Sequence, residues 1–280
     1  MISAIFGCSG PELTAREAAF FAEAQPWGFI LFARNVEDPD QLRRLTSDLR
    51  ASVGRDAPVL IDQEGGRVQR LRSPHWREFA PAMEEGTEER LYLRYRLIAH
   101  ELRSVGVDVN CAPLLDVPVP GSNDVIGGRA LATYPDRVIA LGHAVRKGLM
   151  DGGCAPVIKH MPGHGRSTVD THLSMPTVTA DRQALEADFA PFRAHSDCAM
   201  GMTGHLLFTA IDPETVSTFS PAVIDLIRTD IGFRGLLMTD DISMGALEGT
   251  MEQRASRALA AGVDLILHCN GEMEDMEAIA

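Results

Sequence analysis

Eight short apolar runs, separated by stretches that carry helix-start signals, predict an α/β chain folded as a single (β/α)8 barrel across 280 residues. Three observations carry this prediction. The runs are apolar with little polar alternation, as parallel strands buried on both faces are. Recognisable helix caps fall between them. Charged or imidazole side chains close most of them, at the strand edge where such a barrel places its chemistry. One catalytic barrel domain over residues 1–280 is expected, because no low-complexity tract, charge block or Ser/Gly linker marks a boundary.

The first strand is read at residues 3–8, since the apolar start of the chain lacks a basic n-region and is too short for a signal peptide. Thr14 with Glu17 forms a capping box that opens the first helix. After the second strand, 28–33, Asp38-Pro39 places a cap before a first-turn proline. The third and fourth strands are 58–62 and 108–115, and Asp136 after Pro135 starts the helix that precedes the fifth, 155–160. The sixth strand, 199–206, leads to another cap-proline pair at Ser220-Pro221, and the seventh and eighth follow at 235–240 and 263–268. Only residues 269–280 remain beyond the eighth strand, so the last helix is expected to be short or truncated.

A formal net charge of -13 argues against a nucleic-acid groove or an anionic membrane surface, both of which require clustered Lys and Arg. No stretch approaches the roughly 20 apolar residues of a membrane span. Cys8, Cys111, Cys154, Cys198 and Cys269 are odd in number and scattered, with no C-x-x-C pair, which suggests neither a disulfide framework nor a zinc knuckle. A small-molecule partner and a reducing cytoplasm are the expectations.

The segment Lys159-His160-Met161-Pro162-Gly163-His164-Gly165, followed by Asp170-Thr171-His172, gathers basic, imidazole and carboxylate groups where Pro162 and Gly163 forbid a helix. With Asp62-Gln63-Glu64-Gly65-Gly66-Arg67, Asp116, His205 and Asp240-Asp241, it places polar groups on one predicted rim, since unpaired charge in the core costs several kcal/mol. Asp240, last on its strand, is the nucleophile candidate, and Asp241 is read as capping or supporting the next turn. Asp170 and His172 have the spacing of a dyad in which a carboxylate orients an imidazole for proton transfer, although an arbitrary D-x-H is more often an incidental surface pair.

His160 and His164 do not read as a metal pair, because the Pro-Gly between them removes the helical face that H-x-x-x-H needs. A structural role, with the imidazole pinning the loop by hydrogen bonds, is expected for His164. Lys159 and Arg129 read as donors to a polar ligand or as ion-pair partners of rim carboxylates. Asp62 and Arg70 offer the acceptor and donor chemistry that suits sugar hydroxyls.

On Ile61-Asp62-Gln63-Glu64-Gly65-Gly66-Arg67-Val68-Gln69-Arg70, the Lys159–Gly165 segment, Asp170-Thr171-His172 and Thr239-Asp240-Asp241-Ile242-Ser243-Met244, the chain resembles bacterial family 3 glycoside hydrolases, specifically the β-N-acetylglucosaminidases (β-hexosaminidases) of peptidoglycan recycling. The resemblance spans nearly the whole sequence. It implies a TIM barrel that removes a terminal β-linked N-acetylglucosamine with retention, through a covalent glycosyl-enzyme intermediate. Asp240 aligns with the nucleophile and His172, held by Asp170, with the acid/base, where retaining enzymes usually carry a second carboxylate. Sugar-binding positions carry over to Asp62, Arg70, Arg129, Lys159 and His160, with His205 as an addition.

The implied substrate is a muropeptide fragment bearing N-acetylglucosamine on 1,6-anhydro-N-acetylmuramic acid. A cytoplasmic monomer is expected, with no metal or organic cofactor and no nucleic-acid or membrane partner. Met161 stands where that family usually has an aromatic, and Thr203-Gly204 precedes His205 where it usually has Pro-Ala. Three other readings stay open at this point: the same barrel acting as a β-glycoside phosphorylase, a catalytically silent muropeptide-binding barrel, and a metal-dependent barrel hydrolase.

Overall fold

The structure is a computed structural model that describes residues 1–84, 86–122, 125–167 and 175–280. Its strands are β1 (Ile2–Phe6), β2 (Pro26–Leu31), β3 (Val59–Ile61), β4 (Val109–Asn110), β5 (Ala155–Met161), β6 (Thr177–Val178), β7 (Met200–Thr203), β8 (Leu207–Phe208), β9 (Leu236–Asp241) and β10 (Leu265–His268). Eight of them close a barrel in the order β1, β2, β3, β4, β5, β7, β9, β10, and β10 pairs with β1 to seal it. Every barrel pairing is parallel. The (β/α)8 architecture read from the sequence is the one observed.

Among the described residues eight helices accompany the strands: α1 (Ala15–Ala24), α2 (Pro39–Val53), α3 (Glu88–Ser104), α4 (Pro135–Asp151), α5 (Arg182–Ala194), α6 (Pro221–Thr229), α7 (Met251–Ala261) and α8 (Met273–Ile279). Their starts obey local chemistry. Thr14 and Glu17 close a reciprocal capping box, Asp38 accepts from the amides of Asp40 and Gln41, and Ser220 accepts from Val223 N–H. Pro135 supplies a preset first turn to α4 behind an N-cap, Tyr134, that makes no side-chain bond. The last helix, α8, is seven residues long. None of the helices among the described residues is long and apolar enough to cross a membrane.

Strand parity divides the core into two shells. Ile5, Ile30, Leu60, Val109, Val157, Met238 and Leu267 fill the barrel interior. Their neighbours Phe6, Phe29, Ile61, Ile158, Leu237 and Ile266 point outward into the shell beneath the helices. Both faces of each strand are therefore dry, which is why the runs read apolar rather than alternating. Each of these fully buried side chains contributes roughly 1.5–3 kcal/mol.

Two departures from the sequence reading have local causes. The fourth strand was expected over 108–115 but its ladder covers only Val109–Asn110. Pro113 has no N–H to donate, and the Asn110 side chain bonds both Gln63 N–H and Gln63 C=O in place of a backbone ladder. The sixth was expected to run to residue 206 and ends at Thr203, after which Gly204 N–H turns to Met161 C=O at 2.9 Å. The chain then enters the small parallel sheet of β6 and β8, which the sequence reading did not include. Strands of two residues are too short to show a period.

Candidate active site

Parity also decides which polar groups reach the barrel mouth. Counting two residues on from interior Ile30, Leu60, Val157 and Met238 gives Phe32, Asp62, Lys159 and Asp240, and all four line one cavity of about 240 Å³. Pairing with β7 shifts register between Ile158 and Met161, and pairing of β9 with β10 shifts between Met238 and Asp241. At each irregularity a second consecutive side chain also reaches the cavity, His160 beside Lys159 and Asp241 beside Asp240. Arg70, Arg129 and His164 complete the polar part of the wall, while Ile30, Met202, Leu267 and Cys269 contribute apolar surface.

One side of the cavity is backed by a continuous chain of opposite charges, Arg70, Asp62, Lys159, Glu64 and Arg129. Lys159 Nζ donates to Asp62 Oδ1 at 2.7 Å and to Glu64 Oε1 at 2.8 Å. Arg129 grips Glu64 bidentately, Nε to Oε2 and Nη2 to Oε1, both at 2.9 Å. Arg70 reaches Asp62 Oδ2 at 3.3 Å, and its guanidinium lies 5.2 Å from the centre of the Phe32 ring. The β3 loop can bring Glu64 under these cations because Gly65 adopts φ +99 and sits where a Cβ would meet Ala80 C=O at 2.8 Å.

Burial pushes the Asp62 and Glu64 carboxyls up, yet the cations outweigh it and both end below the ordinary carboxylate range: Lys159 then Arg70 for Asp62, Arg129 then Lys159 for Glu64. Burial pulls Lys159 down, and the two carboxylates more than restore it, so it stays charged. Lys159 and Arg129 were read from sequence either as ligand donors or as partners of rim carboxylates. They are ion-paired, and they still face the cavity.

Asp116 organises the opposite side. Fully buried, it accepts from His160 N–H at 3.2 Å, from His164 N–H at 2.7 Å, and its Oδ2 lies 2.8 Å from His160 Nδ1. Burial raises its carboxyl, and His160 foremost pulls it below its ordinary value. The loop these bonds hold allows no side chain at Gly165, where a Cβ would stand 1.9 Å from Val117 C=O.

Asp240 accepts the N–H of Asp241 at 2.8 Å. Burial raises its carboxyl, but the imidazoles of His160 and His205, the Asp241 amide and Lys159 prevail, so it is held ionised. Asp241 supports the following turn as expected, accepting from Ser243 N–H, Ser243 Oγ and Cys269 N–H at 3.0, 2.7 and 3.2 Å.

Two expectations need correction. His205 was added to the sugar-binding set, but it does not line the cavity. Its Nε2 donates to Asp241 C=O at 3.0 Å, and its Nδ1 pairs with Thr218 Oγ1 at 2.7 Å. A carbonyl can only accept, so the ring is committed to positioning the end of β9. His164 was expected to pin its loop through imidazole hydrogen bonds. It pins the loop through its backbone N–H, and its Nδ1 is buried with no hydrogen-bond partner among the described residues.

Two imidazoles are held neutral, with a consequence for stability. Burial foremost, aided by His160, brings His164 down to about 4. His195, which caps α5, is brought to about 4 by burial and by the adjacent His143 and Arg146. Its Nε2 donates to Ile139 C=O at 3.2 Å, and its Nδ1 faces the Arg146 guanidinium at 3.1 Å. Both values lie below the unfolded 6.5, so between pH 6.5 and about 4 the unfolded chain binds protons that the folded chain refuses. Stability is therefore full above pH 6.5 and falls as the pH drops toward 4. Urea midpoints measured at about pH 7.5 and about pH 5 should show a clear decrease at the lower pH, and a midpoint unchanged over that interval contradicts the account.

Asp62, Arg70, Arg129, Lys159, His160 and Asp240, singled out from sequence, thus share one cavity wall. Asp170 and His172 lie outside the described residues. Two buried groups with a part in the site were not assigned from sequence. Glu64 stood inside a quoted motif and Asp116 closed a strand, but only proximity in space reveals their partners. Among the described residues no group of three or more His, Cys, Asp or Glu side chains is placed to hold a metal ion.

Comparison with known proteins places this geometry. Residues 9–280 match the profile described as the glycosyl hydrolase family 3 N terminal domain. A beta-hexosaminidase of Alkalilimnicola ehrlichii is 38% identical over 280 residues, spanning 95% of this chain and 80% of its own length. Among solved structures, a glycoside hydrolase family 3 beta-N-acetylglucosaminidase from a Paenibacillus species superposes with a TM-score of 0.92 at 33% identity, covering 99% of this chain and 55% of that one. NagZ from Neisseria gonorrhoeae in complex with N-trifluoroacetyl-D-glucosamine superposes at 0.89 with 31% identity, covering 99% of this chain and 83% of that one.

Proposed function

The chain belongs to glycosyl hydrolase family 3 and is a glycoside hydrolase of the β-N-acetylglucosaminidase kind, and from that premise we propose that it removes terminal β-linked N-acetylglucosamine from muropeptide fragments with retention. The observation that carries the reading is Asp240. It is an ionised carboxylate at the end of a barrel strand, in a cavity rimmed by the donors and acceptors that sugar hydroxyls require. At about 240 Å³ the cavity lies below the roughly 300–1,000 Å³ of drug-sized ligand sites, which suits one sugar ring rather than a chain.

In this reading Asp240 attacks the anomeric carbon as the leaving oxygen departs with a proton, and water then attacks from the face that the leaving group vacated, breaking the ester bond and freeing the Asp240 carboxylate, so that two inversions give retention. Several of the described groups are poorly suited to donate that proton. Asp62, Glu64, Asp116 and Asp240 all lie below the ordinary carboxylate range, so none holds a proton at neutral pH. His164 titrates too low, and His205 has both ring nitrogens engaged. The family resemblance assigns the role to His172, oriented by Asp170. It gives its proton to the leaving oxygen and later takes one from water.

Asp62, Arg70, Arg129, Lys159 and His160 hold the sugar. The acceptor side takes the 1,6-anhydro-N-acetylmuramic acid moiety, and the setting is the recycling of cell-wall fragments by a cytoplasmic monomer. Five buried, unpaired thiols are compatible with that reducing compartment. The test is hydrolysis of p-nitrophenyl β-N-acetylglucosaminide beside the β-glucoside, with the first-formed anomer read by proton NMR, and then cleavage of N-acetylglucosaminyl-1,6-anhydro-N-acetylmuramic acid. Turnover confined to the N-acetyl substrates, with the β-anomer first, is expected. Absence of turnover, or an α-anomer first, overturns the proposal.

A further inference from the structure

His164 is the buried polar group of the cavity that the mechanism above does not use. Its backbone is held by the Asp116 carboxylate at 2.7 Å, between two glycines that leave no room for a side chain: a Cβ at Gly163 would stand 2.9 Å from Asp188 Cβ, and one at Gly165 1.9 Å from Val117 C=O. The imidazole is therefore aimed, not loosely placed. It is 4% exposed, it lines the same cavity as Asp240 and His160, and its ring centre lies 5.6 Å from that of His160.

No hydrogen bond to either of its ring nitrogens is present among the described residues, and Nδ1 is sealed from solvent. Burying a polar ring without a partner costs on the order of 1–3 kcal/mol, and a fold that holds it there rigidly gains nothing from the polar atoms. Leucine would fill the volume at lower cost. The arrangement makes physical sense when the partner arrives from the cavity.

We infer that His164 is a substrate-contacting residue of the sugar pocket, with its Nε2 hydrogen-bonded to a hydroxyl of the bound pyranose. The inference rests on the reading of the cavity as a sugar site. A hydroxyl is the fitting partner because it both donates and accepts, and so satisfies Nε2 in either tautomer of a neutral ring. An anion would require a proton on that nitrogen, and burial together with the neighbouring His160 keeps the ring neutral at working pH. The contact therefore contributes orientation without adding charge beside Asp240.

Three variants test it: His164→Leu, which keeps bulk and removes both nitrogens; His164→Gln, whose amide reaches the Nε2 position; and His164→Asn, whose amide reaches only the Nδ1 position. The readouts are KM and kcat on p-nitrophenyl β-N-acetylglucosaminide and the Kd of N-acetylglucosamine by calorimetry. His164→Leu and His164→Asn are expected to weaken binding roughly three- to tenfold, with His164→Gln recovering most of it. Independently of variant folding, wild-type protein carrying 15N-labelled histidine should show its His164 Nε2 resonance move when N-acetylglucosamine saturates the site.

An unmoved resonance, or a folded His164→Leu with wild-type KM and Kd, overturns the inference alone. Failure of the wild type itself to bind N-acetylglucosamine overturns the reading of the cavity, and this inference with it.

Discussion

Asp240→Asn is expected to lower kcat on p-nitrophenyl β-N-acetylglucosaminide by on the order of 10⁴-fold or more, the scale on which loss of a nucleophile acts, while the barrel stays folded. The two side chains have nearly the same shape. Asparagine retains an oxygen to accept the Asp241 N–H, so the end of β9 keeps its 2.8 Å contact. What disappears is the charge that the surroundings work to maintain, against a burial penalty, through His160, His205 and Lys159. An amide cannot form the glycosyl ester, so the loss falls on the chemical step rather than on binding. Circular dichroism and a thermal midpoint close to the wild type's would separate lost chemistry from lost fold. A variant that keeps kcat within tenfold would remove Asp240 from the nucleophile role.

Glu64→Leu is expected to destabilise the protein by about 3–5 kcal/mol, the usual cost of stripping one partner from a buried ion pair. The side chain is only 3% exposed and answers two cations, Lys159 and the bidentate Arg129. With leucine in its place Lys159 keeps Asp62, but Arg129 loses both of its short carboxylate bonds and keeps its bond to the Val125 carbonyl at 3.1 Å. A fall in melting temperature on the order of 10 °C corresponds to that range. KM for the N-acetylglucosaminide should rise as well, because the two cavity-facing cations lose the group that holds them in place. Glu64→Gln, which keeps the shape and one acceptor, should fall between the two proteins in both measurements. If Glu64→Leu melts within a degree of the wild type, the charge chain does not contribute to the fold as described.

These two expectations differ in how far the sequence could have led to them. Asp240 was legible early. It ends an apolar run and stands two residues beyond Met238, an interior position, so the period of a strand already aims it at the mouth. The same counting reaches Asp62 from Leu60 and Lys159 from Val157. His160 and Asp241 break the count, and only the register shifts of β5 and β9 against their neighbours explain why they face the cavity too. The motif around Glu64 was visible, but its partners stand 65 and 95 positions away, at Arg129 and Lys159, and nothing local announces the pairing.

The misjudged residues have the same origin. His205 lies on the predicted rim, yet Thr218 and the Asp241 carbonyl, contributed by other parts of the chain, consume both of its nitrogens. His164 looked like a loop pin because a glycine-rich loop needs one, and Asp116 meets that need through the backbone instead.

By itself, then, the sequence determined the eight barrel strands, several helix starts and the place of Asp62, Lys159 and Asp240 at strand ends, because burial on two faces and capping act over a few neighbouring residues. Only the tertiary structure decided which cation answers which carboxylate, that Asp116 anchors the His160–His164 loop, that His205 is committed and that the His164 ring finds no hydrogen-bond partner among the described residues. Those outcomes depend on distances of about 3 Å between groups far apart in the chain, which exist only once the barrel has closed.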